Sequence, residues 1–382
     1  MLKKWTSLLL VSAMALSLTA CGGPKEPEGP DASGAGSGQV TADPKYPASG
    51  VLTSVIAYTA GGTSDNIVRK LSALMAEELK CSSNCVNVTG GSASVAGMKV
   101  LEEGKQGDMA LGYLLPAASS WDVLGYLEGS TWSDWYSFAA VQSPFCFSVS
   151  KNSGYTTIEE VFDAAKAAPG QMKWGNAGIG SAIHLSGQML LDAVDVDAIA
   201  VPYSGGREAA TNVMAGEIDW VWASVGDVKD LLESGDLVCL GTVNTQEMEI
   251  DRVDGTSYQV PSLFDAYPEA AANAAALGYY GMALPRTTEA SQLLAFQAAF
   301  DKAVNSDEFK EYAESLGMIP VCIHGEEMDK MMAQAESLYA WTLYDQNLAA
   351  KGKNPADMGI PSIADFDYSK LDLSKVNPWP QG

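Results

Sequence analysis

The sequence predicts an α/β fold, and two patterns carry that expectation. From Thr156 to Val243, short apolar runs alternate with amphipathic segments of about ten residues, which is how crossover units build a largely parallel sheet. A strand, a glycine turn and a helix also occur in immediate succession twice. Val51–Tyr58 reads as a buried strand and Gly61-Gly62 as the turn. The stretch that follows reads as a helix, with Ile67, Val68, Leu71, Leu74, Met75 and Leu79 at helical spacing. Trp174-Gly175-Asn176 through Ser181 repeats the pattern, with His184 in the first turn of its helix.

In such a unit the first N–H groups of the helix are free and point at one spot, where the helix dipole also favours negative charge. Each turn is therefore either an anion site or simply a tight connection. Thr63, Ser64 and Asp65 supply oxygens suited to capping the first helix. Open α/β sheets bind ligands beyond the carboxyl ends of their strands, where both turns fall. The two turns are thus expected to face one crevice from opposite sides. His184 is expected to donate to a ligand or to a backbone group.

The 382 residues, 47% of them hydrophobic, suffice for one large or two medium cores. The chain opens with Lys3 and Lys4, an apolar run from Leu8 to Leu18, and Leu18-Thr19-Ala20-Cys21. That tetrapeptide closely resembles a bacterial lipobox, which implies cleavage before Cys21 and lipid attachment to it. A plain signal peptide with an incidental cysteine is the alternative. Residues 1–20 are thus an expected leader, and residues 21–49 an expected flexible tether with a reach of roughly 30 Å. No later stretch is long and apolar enough to cross a bilayer, so the expected location is extracytoplasmic, held to the bacterial membrane by lipid alone. A formal net charge of −24 argues against nucleic acid and anionic lipid as partners.

Val86–Val88 is a second expected strand, and Gly90-Gly91-Ser92-Ala93-Ser94 leads into a helix through Leu101. Asp108–Leu115 reads as a third strand. Ala117–Ser137 carries Trp121, Trp132 and Trp135, which either line a cleft or pack on the core. Phe138–Ser150, interrupted by Pro144, reads as a strand passing between domains, and Leu277–Leu284 as the strand that returns. Thr288–Val304, Ser306–Leu316 and Gly325–Leu348 are expected helices, and the tail from Lys351 an irregular surface wrap. The two crossings assign residues 50–147 and 277–382 to one lobe and 148–276 to the other, hinged near Ser148 and Leu277.

Cys81 and Cys85 flank Ser-Ser-Asn in a loop-like stretch, a setting open to a small disulfide or to free thiols. Cys146, Cys239 and Cys322 sit in apolar strands and read as buried thiols. With only His184 and His324 in the chain, a zinc site lacks ligands, and neither metal nor cofactor is expected. Enzyme chemistry is disfavoured as well. Gly61-Gly62-Thr63 lacks the lysine and spacing of a P-loop, and Gly178, Gly180 and Ser181 miss a dinucleotide fingerprint. Ser181 and Ser186 lack the glycines of a nucleophile elbow.

Four stretches together carry a resemblance. They are Thr59-Ala-Gly-Gly-Thr-Ser-Asp65, Gly175-Asn-Ala-Gly-Ile-Gly-Ser-Ala-Ile-His184-Leu, Val201-Pro-Tyr-Ser-Gly-Gly206 and Val260-Pro-Ser-Leu-Phe-Asp-Ala-Tyr-Pro268. In this order, after a lipoprotein start, they resemble the substrate-binding proteins of tripartite tricarboxylate transporters, the Bug or TctC-like family, over roughly Val51 to Met328. The resemblance implies a two-lobed periplasmic-binding-protein-like fold, type II-like, with a small carboxylated solute in the interlobe cleft. It also implies delivery to a large and a small membrane subunit. On matching positions, Tyr58, Thr59, Gly61, Gly62, Thr63 and Asp65 from one lobe are implied to hold the carboxylate. Gly178, Gly180, Ser181, His184 and Tyr203 are implied from the other, through amides, hydroxyls and ordered water. An extracytoplasmic sensor presenting the same ligand to a signalling receptor shares this chemistry and is the alternative.

The chain departs from the family at the first turn. Ala57-Tyr58-Thr59-Ala60 stands where the family writes Pro-Phe-x-Pro, so Tyr58 brings a hydroxyl that Phe lacks. Arg207, outside the shared pattern, opens a helix where a cation opposes the dipole. It either grips a second ligand carboxylate or pairs at the surface with Glu208 or Asp227.

Overall fold

The computed structural model describes residues 40–382 apart from 105–106, 245–246, 276–277, 375 and 381–382. The expected leader, Cys21, nearly all of the tether and Leu277 lie outside the described residues.

The chain begins with β1 (Val51–Ile56), α1 (Thr63–Leu79), β2 (Ser82–Asn87), α2 (Ser94–Glu103), β3 (Met109–Leu114) and β4 (Trp135–Gln142). It alternates through β5 (Phe145–Ser150), α3 (Ile158–Ala167), β6 (Lys173–Asn176), α4 (Ala182–Ala193) and β7 (Ile199–Pro202). Next come α5 (Gly206–Ala215), β8 (Trp220–Ser224), α6 (Val225–Glu233) and β9 (Leu237–Thr242). A hairpin of β10 (Met248–Asp251) and β11 (Ser257–Val260) and two short helices, α7 (Leu263–Ala266) and α8 (Pro268–Ala275), precede β12 (Tyr279–Pro285). The last elements are α9 (Ala290–Asn305), α10 (Asp307–Ser315), β13 (Ile319–Ile323) and α11 (Gly325–Asp345). Local chemistry accounts for many boundaries. Thr157 and Glu160 form a capping box at the start of α3, each side chain accepting from the other's backbone N–H.

Two main sheets result, ordered β13-β4-β12-β3-β1-β2 and β7-β6-β8-β5-β9. Both are mixed rather than largely parallel. β1 runs parallel to β2 and β3, and β6 to β7 and β8. In contrast, β12 is antiparallel to β3 and β4, and β5 to β8 and β9. β5 and β12 are the strands that receive the chain as it changes sheet, and each enters against the run of its neighbours. The first change falls at Ser143-Pro144, between β4 and β5, and not near Ser148. Pro144 offers no N–H to a ladder, so the apolar run breaks there; Ser148 sits within β5, opposite Val221. Ser143 N–H donates to the Gly278 carbonyl at 2.8 Å, which sets the two crossings side by side.

Three local expectations need correction. β2 starts at Ser82, so Cys81 and Cys85 are separated by extended chain, and both are free thiols. Four residues of strand span about 13 Å, whereas a disulfide needs Cα atoms within roughly 7 Å. Cys322 is exposed, unlike Cys146 and Cys239, because β13 is an edge strand. The tail is more than a wrap. Trp379 packs edge-on against Tyr136 at 4.9 Å, and its Nε1 donates to Asp329 Oδ2 at 3.0 Å.

The three tryptophans of 117–137 pack on the core: Trp121 and Trp135 are fully buried around Tyr113, and Trp132 meets Tyr368.

Asp329 also pairs with Arg286, and both side chains are only 6% exposed. Arg286 Nη1 in turn donates to the Asn377 carbonyl at 2.8 Å. Removing one member of a buried pair leaves the other charge without compensation. Asp329→Ala is therefore expected to cost about 3–5 kcal/mol in urea unfolding; a loss under about 1 kcal/mol, the range of an exposed ion pair, contradicts this account.

Candidate functional site

At the carboxyl ends of β1, β6, β7 and β8 the chain turns into α1, α4, α5 and α6, and the four helix N-termini converge. Gly62 and Ser64, Ile183, Gly205 and Gly206, and Asp227 come from the starts of these helices, and all line one cavity of about 10 Å³. Tyr58, Thr59 and Tyr280 complete its polar wall. A single water needs ~10–15 Å³. Outward, a groove of about 330 Å³ shares Tyr58 and Ala177 with the cavity. Gly90 to Ala93 and Tyr126 form one bank of it, and Gly178, Ile179, Tyr203, Ser204 and Glu208 the other.

Asp227 organises the cavity. Only 4% exposed, it accepts from Thr63 N–H at 2.7 Å and from the Thr63 hydroxyl at 3.0 Å, both on Oδ1. The start of α1 is thus capped by neither Thr63, Ser64 nor Asp65; a carboxylate from the other sheet, 164 residues away, does it. Burial raises the Asp227 carboxyl above its ordinary range, opposed by the Thr63 donors, the Ser224 backbone and Arg207. Glycine is required around this group. A Cβ on Gly62 comes within 2.9 Å of Asp227 Oδ1, one on Gly206 collides with Oδ2, and one on Gly205 with Thr59 Oγ1.

Asp65 braces the loop from behind. It accepts from Gly61 N–H at 3.0 Å, Arg69 Nε at 2.8 Å and Asn87 Nδ2 at 2.9 Å, and Asn87 also donates to the Tyr58 carbonyl. Arg207 does grip a carboxylate, but one of the protein's own. Its fork closes on Asp230, with Nη2 to Oδ2 at 2.8 Å, and Nη1 also donates to the Asp227 carbonyl at 3.2 Å. Its ion-pair partner among the described residues is therefore Asp230 and not Glu208, which instead accepts from Ser204 N–H.

The second turn is equally self-contained. Gly178 and Gly180 adopt φ of +104° and +81°. Gly178 N–H donates to Asn176 Oδ1, Gly180 N–H to His184 Nδ1 at 3.3 Å, and His184 N–H to Ser181 Oγ, which caps α4. His184 therefore accepts at Nδ1, which leaves its ring proton on Nε2, and its buried ring stacks on Trp174.

Of the expected residues, Tyr58, Thr59 and Gly62 line the cavity, and Tyr58, Gly178 and Tyr203 the groove. Gly61, Thr63, Asp65, Gly180, Ser181, His184 and Arg207 hold these walls in place. Sequence reasoning missed Asp227 and Tyr280 in the cavity and Ser92 and Tyr126 in the groove. Ser224-Val-Gly-Asp227 did carry a signal, since a hydroxyl followed three residues later by an acid opens many helices.

The Tyr58 hydroxyl, Thr59 Oγ1 and Ser64 Oγ are buried with no partner among the described residues. Unsatisfied buried polar groups are rare and cost ~1–3 kcal/mol each. Three of them surround one cavity beside converging helix N-termini, whose free N–H groups and dipoles suit negative charge.

Burial lowers His184 from 6.5 to about 4, so the ring is neutral at pH 7 and free to accept from Gly180. The unfolded chain then binds the extra proton below about 6.5, so this contribution is present above that pH and is lost as pH falls toward 4. Replacement by His184→Gln should shrink the loss of unfolding free energy between neutral and acid pH by up to about 3 kcal/mol. An unchanged acid sensitivity contradicts the assignment.

Residues 135–341 match the family model described as the tripartite tricarboxylate transporter family receptor. A curated relative, the UPF0065 protein in the tcbD-tcbE intergenic region of a Pseudomonas species, is 25% identical over 179 residues. That match covers 47% of this chain and about half, 51%, of the relative's length. Among solved structures, MatC of Rhodopseudomonas palustris with bound malate superposes with a TM-score of 0.65 at 17% identity, over 77% of this chain and 98% of its own. A second R. palustris protein, with adipate, gives 0.66 at 20% identity, over 78% and 97%. These likenesses establish the two-lobed periplasmic-binding-protein fold. The chain belongs to the tripartite tricarboxylate transporter family of receptors.

Proposed function

We propose that this protein is a lipid-anchored extracytoplasmic solute-binding protein that captures a small carboxylated solute for the large and small membrane subunits of a tripartite transporter. The convergence of four helix N-termini and three unpartnered hydroxyls on one interlobe cavity carries this reading. The malate and adipate held by similar structures support the ligand class. In this reading the ligand carboxylate lies at the starts of α1, α4 and α5 and accepts from Tyr58, Thr59 and Ser64. Asp227, an acceptor, faces a donor on the ligand, and the rest of the solute extends into the groove. Entry requires the lobes to part at polar links that include Thr63 to Asp227, Ser224 to Tyr280, Ser92 to Ile179 and Gln346 to Asp192. They turn about the crossings at Ser143-Pro144 and Gly278.

Thermal-shift and calorimetric titration with malate, adipate and other organic acids tests the reading. A ligand at a hundredfold excess over its Kd stabilises the fold by about 2.7 kcal/mol. A broad screen in which no carboxylate moves the Tm, while neutral analogues behave the same, sinks it. Ser64→Ala and Tyr58→Phe each delete a hydroxyl whose bond to a charged ligand is worth ~1.5–3 kcal/mol, or about tenfold or more in Kd. Because neither hydroxyl has a partner among the described residues, both variants should keep or raise the ligand-free Tm.

A further inference from the structure

The edge strand β13 carries a constellation that the cleft does not use. Cys322 and His324 are two residues apart in an extended segment and so share a face. Asp301 on α9 meets both, with Cys322 Sγ 3.4 Å and His324 Nε2 2.9 Å from its Oδ1. Sγ, Nε2 and the carboxylate oxygen all lie within 4.8 Å of one another. Tetrahedral zinc holds sulfur at ~2.3 Å and nitrogen or oxygen at ~2.0–2.1 Å, which places neighbouring donors roughly 3.3–3.6 Å apart. The Cys322–Asp301 separation falls within that range, and the His324–Asp301 separation falls short of it by a few tenths of an ångström.

Two further features orient the donors. A register shift between Pro320 and Ile323 interrupts pairing with β4, a bulge of the kind that re-aims side chains at sheet edges. The His324 ring is flanked by Phe138 at 5.4 Å and Trp379 at 5.8 Å, so the imidazole is held rather than free to swing. Cys322 is also the one exposed thiol among the described cysteines.

We propose that Asp301, Cys322 and His324 form a site for a zinc-class divalent cation, with the fourth position left to water. A mixed sulfur, nitrogen and oxygen donor set favours zinc and its transition-metal neighbours over calcium or magnesium. Binding displaces the thiol proton and replaces the His324–Asp301 hydrogen bond with two metal bonds. It ties α9 to the edge strand and, through His324 at the N-cap of α11, to the start of that helix. The sequence hid this site because the third donor lies 21 residues before Cys322, on a different element.

Cobalt titration of the reduced chain, followed by thiolate-to-metal charge-transfer absorption, provides the test. One equivalent of cobalt should produce the band and tetrahedral visible transitions, and zinc should displace it. Cys322→Ser should abolish the band and weaken zinc by at least about tenfold against a chelator, the loss that even an outer-shell change produces. Asp301→Asn should weaken zinc without removing the band, and circular dichroism should report both variants folded. Absence of a band in the unaltered chain overturns the proposal. So does a band or an undiminished zinc affinity in Cys322→Ser, which puts the ion on Cys81, Cys85 or the acidic surface.

Discussion

The cleft depends on one carboxylate being buried at the foot of a helix that belongs to the opposite sheet. Asp227 takes the first N–H of α1, and this contact sets the requirements around it. Glycine must occupy positions 62 and 206 because the carboxylate oxygens fill the space a Cβ would need. Desolvating such a charge costs several kcal/mol. Charge-assisted bonds from Thr63 and the dipoles of α1 and α6 offset that cost. Arg207 contributes from the outer side through the Asp227 carbonyl and is itself pinned by Asp230.

Much of the fold was legible because it is encoded locally. The apolar period of α1, the Thr157–Glu160 box and the glycines at 61, 178 and 180 all act within a few residues of themselves. What escaped is what a side chain meets across the fold. The cap of α1 comes from 164 residues away, so three nearby oxygens looked sufficient and are not used. His184 was recognisable as a helix-turn residue, but whether it donates or accepts depends on the Gly180 N–H that the folded loop delivers to it. Arg207 advertised a carboxylate partner correctly, and only the packing of α5 beside α6 identifies it as Asp230. Strand direction was misjudged because the apolar run at 138–150 looks the same whether it stays in one sheet or, as here, breaks at Pro144 and reverses in the next.

The carboxyl-terminal tail shows a related limit. Its irregular spacing of Pro, Gly and Asp predicts no regular element, and apart from one short turn, Tyr368–Lys370, none forms among its described residues. Yet Trp379 touches Tyr136, Phe138 and His324 and closes on Asp329. A single aromatic residue near the end of the chain thereby joins the buried Arg286–Asp329 pair to the edge of the first sheet. Residues without periodicity carry this connection, so only their identities, Trp and Asn, hint at it.

The 10 Å³ cavity has a further consequence, for populations rather than contacts. The lobes meet closely enough that a water-sized space is all that remains between the helix termini. On the proposed reading, any larger guest at that point must wait for, or induce, a form in which the lobes are parted. The apparent dissociation constant is then the intrinsic one divided by the fraction of molecules already open. Substitutions that never touch the guest, but loosen the links between the sheets, therefore act on affinity by changing how often the empty protein is ready to receive it.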